Sequence, residues 1–462
     1  MQLFEKENPF IDGADNFNAC FGGTAALFNS LAWADSCFNN ENKFALVVAS
    51  DLAKYDPNGA PGARATGGAG AVALLVGRNA PHLVINPTRK GHFSKNVWDF
   101  YKPYMEKEFP VVDAPLTLSC YFEAVDNCFD QLSLKIIKEK EQKNEKEHQN
   151  LKRKFSHVSD DDCFSVGSSN SNVSISHTRP NNGSSNSINT KDVITSNYDC
   201  HIFHSPFYKL VEKSYARLRR NESYEIFGKL DQQNLEEASN SWSKEIEREW
   251  VAKSKENFLK KVHPGLMFSQ RIGNMYTPSI YGSLVALIAS LDQQFLDQNS
   301  SNQESGESDS MESNSSTDLN VSTSNVSMIS NCSSGYQSNT ENNNNNDPSS
   351  VKRVSIFSYG SGLISSVYSL NIFNKSVTKS QNSNSKKFEL KKLQENCHKI
   401  IMKLDERTKI SPERFIEILG NKSQKPGQYQ VDQSDVDNSL FNEAFYLHKI
   451  DEKFRRSYAQ NL

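Results

Sequence analysis

The sequence lacks several features that would assign a protein to a class at once. It has no apolar run approaching about 18 residues and no basic segment leading into an apolar one at its start, so we expect neither a membrane span nor a signal peptide. Its eight cysteines form no C-x-x-C pair and no Cys/His spacing typical of zinc, which favours a reduced intracellular protein without a metal site. The formal net charge of −3 argues against nucleic acid or an anionic membrane as a partner.

Apolar residues are also scarce, at 36% of the 462 residues, and the deficit is concentrated in two tracts rich in Ser and Asn. Such tracts bury too little surface to offset the entropy lost on ordering, so we predict two disordered insertions. We divide the chain into residues 1–137, 138–197 (a charged helix extension and the first insertion), 198–296, 297–350 (the second insertion) and 351–462.

The remaining text has the pattern of an α/β fold. Residues 44–50 (FALVVAS) and 69–77 (AGAVALLVG) are short apolar runs, which predict strands buried on both faces. Residues 116–134 carry apolar side chains at helical spacing and continue into a run of mixed charge, which predicts a helix with a solvated extension. Residues 198–207 predict a strand that is closed by Pro206 and followed by a helix.

Cys20 is the first candidate for chemistry, because it precedes an apolar, helix-like segment that begins near Gly22. Backbone N–H groups and the helix dipole at such a position favour thiolate over thiol, as a nucleophile requires. Gly22 and Gly23 have no Cβ and leave room for an acyl group. The alternative, an inert packed cysteine, is equally compatible with these residues.

His204 is the second candidate, since it lies where the strand over residues 198–207 ends and its ring could project into a cleft. Lys209 and Lys213 follow one helical turn apart on one face, which suits phosphate binding. A structural histidine and two solvated lysines are the alternatives.

Two further segments offer donors. Ser361 lies in the turn 358–362 (SYGSG) after a predicted strand, where exposed N–H groups suit an oxyanion hole, although a plain turn explains it equally well. Asn274 and Tyr276 precede an apolar helix and could bind a ligand or cap that helix. The glycines after Thr66 precede a strand and do not open a helix, so they are not a dinucleotide loop. We interpret them as backbone that passes close to a neighbouring segment or pocket.

Taken together and in order, these segments closely resemble the eukaryotic 3-hydroxy-3-methylglutaryl-CoA (HMG-CoA) synthases. The motifs are NACFGGTAALFNSLAWADS, ARATGGAGAVALLVG, DFYKP, YFEAVDNCF, IFHSPFYKLVEKS, GNMYTPSIYGSL and FSYGSGLISSVYSL. The resemblance covers the ordered text and extends to SLFNEAFYLHKIDEKFRRSY near the end.

The resemblance implies a thiolase-like fold of layered αβαβα type, usually a homodimer. It also implies condensation of acetyl-CoA with acetoacetyl-CoA and water to give HMG-CoA and CoA, a step toward mevalonate, isoprenoids and sterols, with CoA thioesters as substrates and no cofactor. By matching position, Cys20 is the acylated nucleophile and His204 the histidine that holds acetoacetyl-CoA. The positions matched to substrate binding or to shaping the site are Asn274, Ser361, Lys209, Lys213, Thr66, Tyr276, Asp51 and Asp99.

One part of the family pattern has no match in this sequence. The family places its general acid/base glutamate in a motif upstream of the cysteine, and neither Glu5 nor Glu7 lies in that context. We therefore expect the first α/β half to be incomplete by roughly a hundred residues. The expected consequences are exposed apolar sheet and helix faces and no detectable HMG-CoA from the chain as written. The alternative function is an inactive fragment that acts as a binding or regulatory partner. We expect a cytoplasmic location and leave a mitochondrial one open.

Overall fold

The computed structural model describes residues 8–39, 43–56, 61–102, 109–156, 193–228, 231–297, 326–331, 350–376, 389–420, 429–431, 436, 440 and 444–461. Its helices are α1 (Gly22–Asp35), α2 (Pro61–Arg64), α3 (Ala114–Ser156), α4 (Val193–Asn197), α5 (Tyr208–Ser223), α6 (Gln232–Asn240), α7 (Lys244–Lys261), a 3₁₀ turn (His263–Leu266), α8 (Met267–Arg271), α9 (Ser279–Ala289), α10 (Gln293–Asp297), α11 (Leu390–Met402) and α12 (Pro412–Gly420). Its strands are β1 (Ala45–Leu52), β2 (Ala69–Val76), β3 (Leu83–Ser94), β4 (Phe100–Tyr101), β5 (Val111–Val112), β6 (Cys200–Phe203), β7 (Val326–Asn331), β8 (Val351–Gly360), β9 (Ile364–Phe373), β10 (Tyr429–Gln430), β11 (Phe445–Ile450) and β12 (Arg456–Gln460).

The main sheet is mixed and has the strand order β1–β2–β7–β3–β9–β8–β6. Strands β1 and β2, β3 and β9, and β8 and β9 pair antiparallel. Strand β7 pairs parallel with both of its neighbours, and β6 pairs parallel with β8. The α/β class predicted from the sequence is therefore confirmed.

At the β6–β8–β9 end, the sheet is covered on both faces. Val354 and Ile356 of β8 pack in a cluster with residues of α1, α9 and α11. Phe357 and Tyr359 belong to a second cluster, with residues of α3 and α5. Because successive residues of a strand point to opposite faces, these clusters lie on the two sides of the sheet.

The β1 strand differs, and here one prediction is wrong. Val47 and Ala49 face the core, whereas Leu46, Val48 and Leu52 are exposed, Val48 by 60%. The run was expected to be buried on both faces, but β1 is an antiparallel edge strand with one covered face. Strand β1 therefore has an exposed apolar face, formed by Leu46, Val48 and Leu52.

The two low-complexity tracts contain some regular structure after all. Strand β7 lies inside the range 297–350 and pairs with β2 and β3. Helix α4 lies within 138–197 and buries Val193 and Ile194. The prediction of disorder is wrong for these two stretches. Residues 157–192, 298–325 and 332–349 lie outside the described residues.

The charged run after residue 137 is helical as predicted, since α3 extends to Ser156. The chain divides into two compact units, one from Asn16 to Leu404 and the other comprising residues up to Asp15 together with those from Asp405 onward. The second unit contains α12 and the small sheet β10–β11–β12, so our range 351–462 spans parts of both units. Among the described helices, none has the length and apolar character needed to cross a bilayer.

Candidate active site

Cys20 lies in a tight turn immediately before α1. The N–H of Phe21 donates to the Asn18 carbonyl at 3.0 Å, and the N–H of Gly22 donates to the Ala19 carbonyl at the same distance. Ala19 has a positive φ of 44°, an uncommon conformation for a residue with a Cβ. The turn is therefore fixed by its own backbone bonds, and α1 begins two residues after the cysteine.

The electrostatic environment of Cys20 differs from the one we predicted. Desolvation raises the pKa of the half-buried Cys20 thiol well above its ordinary value, and the negative charges of Asp51 and Asp99 raise it further. These effects outweigh the helix N-terminus that was expected to favour thiolate. The thiol is protonated near neutral pH, so acylation requires that its proton be removed as the sulfur attacks.

The end of β8 packs directly on the turn that carries Cys20. A Cβ on Gly360 would lie 2.8 Å from the Cβ of Phe21 and 2.9 Å from the carbonyl oxygen of Asn18, closer than real Cβ atoms approach. Glycine is therefore required at this contact. Ser361 follows it at once, so the predicted SYGSG turn lies beside the cysteine.

Asp51 connects the end of β1 to the segment before α9. Its carboxylate accepts a hydrogen bond from the Thr277 hydroxyl at 3.0 Å and a longer one from the Thr277 N–H at 3.4 Å. Thr277 in turn lies against α1, because a Cβ on Gly23 would approach the Thr277 carbonyl to 3.0 Å. Asp51 thus helps to hold the start of α9 against the Cys20 turn.

Thr66 and the glycines after it lie along the same segment. The N–H of Asn274 donates to the Thr66 carbonyl at 2.7 Å, and the N–H of Gly68 donates to the Asn274 carbonyl at 2.9 Å. A Cβ on Gly68 would lie 2.8 Å from the Ile272 carbonyl oxygen. The interpretation of these glycines as backbone in close approach is confirmed. The Thr66 hydroxyl is bonded to the Ala63 carbonyl at 2.8 Å.

Asn274 and Tyr276 are partly committed to local structure. The side-chain oxygen of Asn274 accepts from the Tyr276 N–H at 2.9 Å and from the Ser279 hydroxyl at 3.1 Å. The N-cap of α9 is Pro278 and carries no side-chain capping bond, so the capping alternative is wrong. The Tyr276 ring packs edge-on against Tyr55 and Phe100, with centroids 6.3 and 6.0 Å away. Burial is the main cause of the raised pKa of both Tyr55 and Tyr276, and an electrostatic interaction with Cys20 contributes to each.

His204 is buried where β6 ends. Its N–H donates to the Phe357 carbonyl at 2.7 Å, and its own carbonyl accepts a hydrogen bond from the buried Tyr121 hydroxyl. The ring stacks on Tyr359 with centroids 6.5 Å apart and planes at 20°. Burial lowers the pKa of His204 to about 4, so the ring is neutral near pH 7.

Asp99 joins this histidine to the β8 turn. One carboxylate oxygen accepts from the Tyr359 hydroxyl at 3.2 Å, and the other accepts from the Gly362 N–H at 3.0 Å. Burial, and then the Asp99 charge, raises the pKa of Tyr359, which therefore remains a protonated donor. The Gly362 N–H is occupied by this bond and is not a free oxyanion donor.

The two candidate phosphate lysines are engaged with carboxylates. Lys209 is exposed and lies 2.7 Å from Glu212, and Lys213 lies 2.8 Å from Glu247. Both lysines lie on α5, as predicted, but each is paired with a glutamate in this structure.

The structure thus places Asp51, Asp99, Tyr276 and Ser361 near the Cys20 turn. Asn274 is bonded to Tyr276, and His204 stacks on Tyr359, whose hydroxyl donates to Asp99. Sequence reasoning missed Tyr55, Tyr359 and Thr277. Tyr359 and Thr277 lie within quoted motifs, so their position was a usable signal. Tyr55 follows β1 in a polar loop, and nothing local marks it.

The main sheet has helices on both faces at its β6–β8–β9 end, and the solved structures similar to this chain have the thiolase-like fold. MvaS in complex with 3-hydroxy-3-methylglutaryl coenzyme A matches this chain with a TM-score of 0.56 at 21% identity, covering 97% of this chain and 74% of that chain. At this identity the likeness supports the fold.

The family is shown by the sequence comparisons. The profile "Hydroxymethylglutaryl-coenzyme A synthase N terminal" matches residues 1–81, and the corresponding C-terminal profile matches 83–160, 161–304 and 307–461. Hydroxymethylglutaryl-CoA synthase 2 of Blattella germanica is 31% identical over 99% of this chain and 78% of its own length. The cytoplasmic human synthase is 30% identical over 100% of this chain and 69% of its own length. The chain belongs to the hydroxymethylglutaryl-CoA synthase family, a family of acyltransferases.

Proposed function

We propose that this protein is an acyltransferase that condenses acetyl-CoA with acetoacetyl-CoA and water to give HMG-CoA and free CoA. The observation that carries the proposal is the convergence at Cys20. The turn that bears the thiol is packed between the β8 turn at Gly360 and the α9 segment at Thr277. Family membership supplies the substrate class, and this geometry supplies a nucleophile with donors around it.

The reaction proceeds through an acetyl-Cys20 thioester. The Cys20 sulfur attacks the acetyl carbonyl, loses its proton and displaces CoA. A general base then takes a proton from the acetyl methyl, the carbanion attacks the ketone of acetoacetyl-CoA, and the alkoxide that results takes up a proton. That base is the group for which this sequence has no match to the family glutamate. Water finally hydrolyses the thioester to a carboxylate, and Cys20 regains its proton. Each step exchanges thioesters, protons and water, so the proposal includes no metal or redox cofactor.

His204 is suited to the second substrate because its ring is neutral. A neutral imidazole offers one nitrogen as a donor and the other as an acceptor, so it can hold and polarise a thioester or ketone oxygen. Asn274, Ser361, Thr66 and Tyr276 are proposed to contact the acyl groups. Lys209 and Lys213 are proposed to meet the CoA phosphates after exchanging their glutamates for the ligand.

The proposed location and oligomeric state of the protein are based on its family. Relatives include both cytoplasmic and mitochondrial synthases, and we propose the cytoplasm for this protein. We also propose a homodimer, as the resemblance implies. Size-exclusion chromatography with light scattering tests the dimer, and fluorescent tagging of the protein in its own cells tests the location.

The test of function is acetylation of Cys20. The purified protein is incubated with acetyl-CoA, and the cysteine-containing peptides are examined by mass spectrometry for a gain of one acetyl group. We expect acetyl-Cys20 in the wild type and none in Cys20→Ser. Cys37→Ser is the matched control, because Cys37 is also a free cysteine but lies in the turn beyond the other end of α1 and is exposed. It is expected to acetylate like the wild type.

Acetoacetyl-CoA is then added and HMG-CoA is measured by liquid chromatography and mass spectrometry. Formation of HMG-CoA supports the complete reaction and contradicts the expectation, drawn from the unmatched glutamate, that this sequence gives no detectable product. Acetyl-Cys20 that persists without product limits the chain to the first half of the reaction and favours the alternative of a binding partner. Absence of acetylation, or acetylation that survives in Cys20→Ser, contradicts the proposal.

A further inference from the structure

A cluster of three buried hydroxyl groups lies beneath the nucleophile turn. The Thr24 hydroxyl, in the first turn of α1, donates to the Ser358 hydroxyl at 2.8 Å and lies 3.1 Å from the Tyr281 hydroxyl. Thr24 is 0% exposed, and the other two side chains are 1% exposed. We call Thr24, Tyr281 and Ser358 the hydroxyl cluster. It joins α1, α9 and β8, the elements that surround Cys20.

The hydroxyl cluster carries no charge. Burial raises the pKa of Tyr281 well above its ordinary value, so its phenol is neutral. Threonine and serine do not titrate in this range. Three hydroxyl groups that exchange hydrogen bonds satisfy one another without the desolvation cost of an ion.

The link from Thr24 to Cys20 is short and stiff. The N–H of Thr24 and the N–H of Ala25 both donate to the Phe21 carbonyl at 2.9 Å, and Phe21 adjoins Cys20. Phe21 also touches Gly360, two residues after Ser358 on β8. The turn is therefore fastened to β8 at two points, by the hydrogen bond from Thr24 to Ser358 and by the contact of Phe21 with Gly360.

We propose that Thr24 is a positioning residue that fixes the Cys20 sulfur relative to the β8 turn and the α9 segment. The inference rests on the proposed function, since it assigns Thr24 to the acyl-transfer step at Cys20. Thr24 itself is buried and touches no substrate. Its effect is exerted through Ser358, Tyr281 and the backbone of the turn.

The test compares Thr24→Val with Thr24→Ser. Valine keeps the shape of threonine but removes the hydroxyl, whereas serine keeps the hydroxyl and loses a methyl group. Small displacements of a reacting group cost up to about 100-fold in rate, so we expect Thr24→Val to lower the acetylation rate constant about 10- to 100-fold. The acetyl-CoA concentration at half-maximal rate should stay unchanged. Thr24→Ser should restore most of the rate.

Ser214→Ala is the matched control, because the buried Ser214 hydroxyl also donates a hydrogen bond, to the Leu210 carbonyl at 2.7 Å, but on α5. It removes a buried hydroxyl bond away from the Cys20 turn. Its acetylation rate should equal that of the wild type. A rate that falls as much in Ser214→Ala as in Thr24→Val would mean that lost stability, and not position, is responsible.

A second readout does not require the proposed activity. Alkylation of Cys20 by iodoacetamide, followed by peptide mass spectrometry, reports how firmly the turn holds the thiol. We expect faster alkylation in Thr24→Val and the wild-type rate in Thr24→Ser and Ser214→Ala. If the wild type is not acetylated at all, the proposed function fails while the alkylation rates still decide the role of Thr24. Wild-type acetylation and alkylation in Thr24→Val, or no recovery in Thr24→Ser, would overturn the inference.

Discussion

The two ends of the main sheet are built differently although both serve the candidate site. Strands β6, β8 and β9 lie between two clusters of buried side chains, and His204 follows β6 inside this double layer. Strand β1 has one covered face, against which α1 packs, and one exposed apolar face. The histidine is thus enclosed by packing from both sides, whereas the Cys20 turn is held by contacts with the end of β8 and with the segment before α9, to which Asp51 of β1 is bonded.

Different interactions therefore fix the positions of His204 and Cys20. Around His204, the backbone bonds to Phe357 and Tyr121 are supported by aromatic packing on several sides. Around Cys20, position depends on Gly360, on Thr277 and on the hydroxyl cluster. We therefore expect substitutions that shrink buried side chains to have their largest effect around His204. Substitutions that remove a single contact should have their largest effect around Cys20.

The largest effect on stability is expected from Phe357→Ala. Phe357 is fully buried, and its ring contacts Tyr121, Phe129 and Phe203. The free energy of unfolding should fall by about 3–5 kcal/mol, as for other buried phenylalanines. Val48→Ala, on the exposed face of β1, should change it by no more than about 0.5 kcal/mol. Urea unfolding followed by circular dichroism measures both, and equal losses would contradict the proposed contrast.

An intermediate effect is expected from pH, again at the enclosed end. Burial lowers the pKa of His201 from 6.5 to about 3 and that of His204 from 6.5 to about 4. Between pH 4 and 6.5 the unfolded chain therefore binds more protons than the folded one at these positions, and the free energy of unfolding rises with pH.

One such histidine makes the free energy of unfolding rise by at most about 1.4 kcal/mol per pH unit. His201→Asn should reduce the slope between pH 5 and pH 6 by close to that amount. Urea unfolding at several pH values measures it, with Val48→Ala as the control whose slope should match the wild type. An unchanged slope in His201→Asn would show that its folded-state pKa is not depressed.

The smallest effect on the folded molecule is expected from Val48→Lys. A charge on the exposed face of β1 removes no buried contact, so the free energy of unfolding should change by no more than about 0.5 kcal/mol. The same charge should oppose association through this edge strand. Light scattering over a range of concentrations is expected to show less aggregation than for the wild type. A large loss of stability would mean that this face is covered.

Much of this arrangement was predictable from sequence because it is local. Apolar spacing identified α3, β2 and the β6–α5 unit, and the glycines of TGG marked a close backbone approach that the structure confirms. The motifs also placed Cys20 beside Asp51 and Ser361, since their order along the chain matched a known family.

The rest depends on contacts between segments distant in sequence. The pKa of Cys20 is raised first by burial and then by the charges of Asp51 and Asp99, which are 31 and 79 residues away along the chain, so a helix-dipole argument alone gave the wrong direction. The exposed side of β1 depends on which strand is its neighbour, and an apolar run does not contain that information. Tyr55 was missed for the same reason, because its importance comes from Tyr276 and Cys20.

The pairing of Lys209 carries one more consequence. Its partner Glu212 is almost completely buried, yet Glu212 is shared, since Lys255 reaches its other oxygen at 2.8 Å. If Lys209 turns outward to a phosphate, the carboxylate keeps one cation and is not stranded in the protein. Glu212 therefore holds Lys209 while no phosphate is bound. Because Lys255 stays paired with Glu212, the loss of Lys209 does not leave a buried carboxylate without a cation.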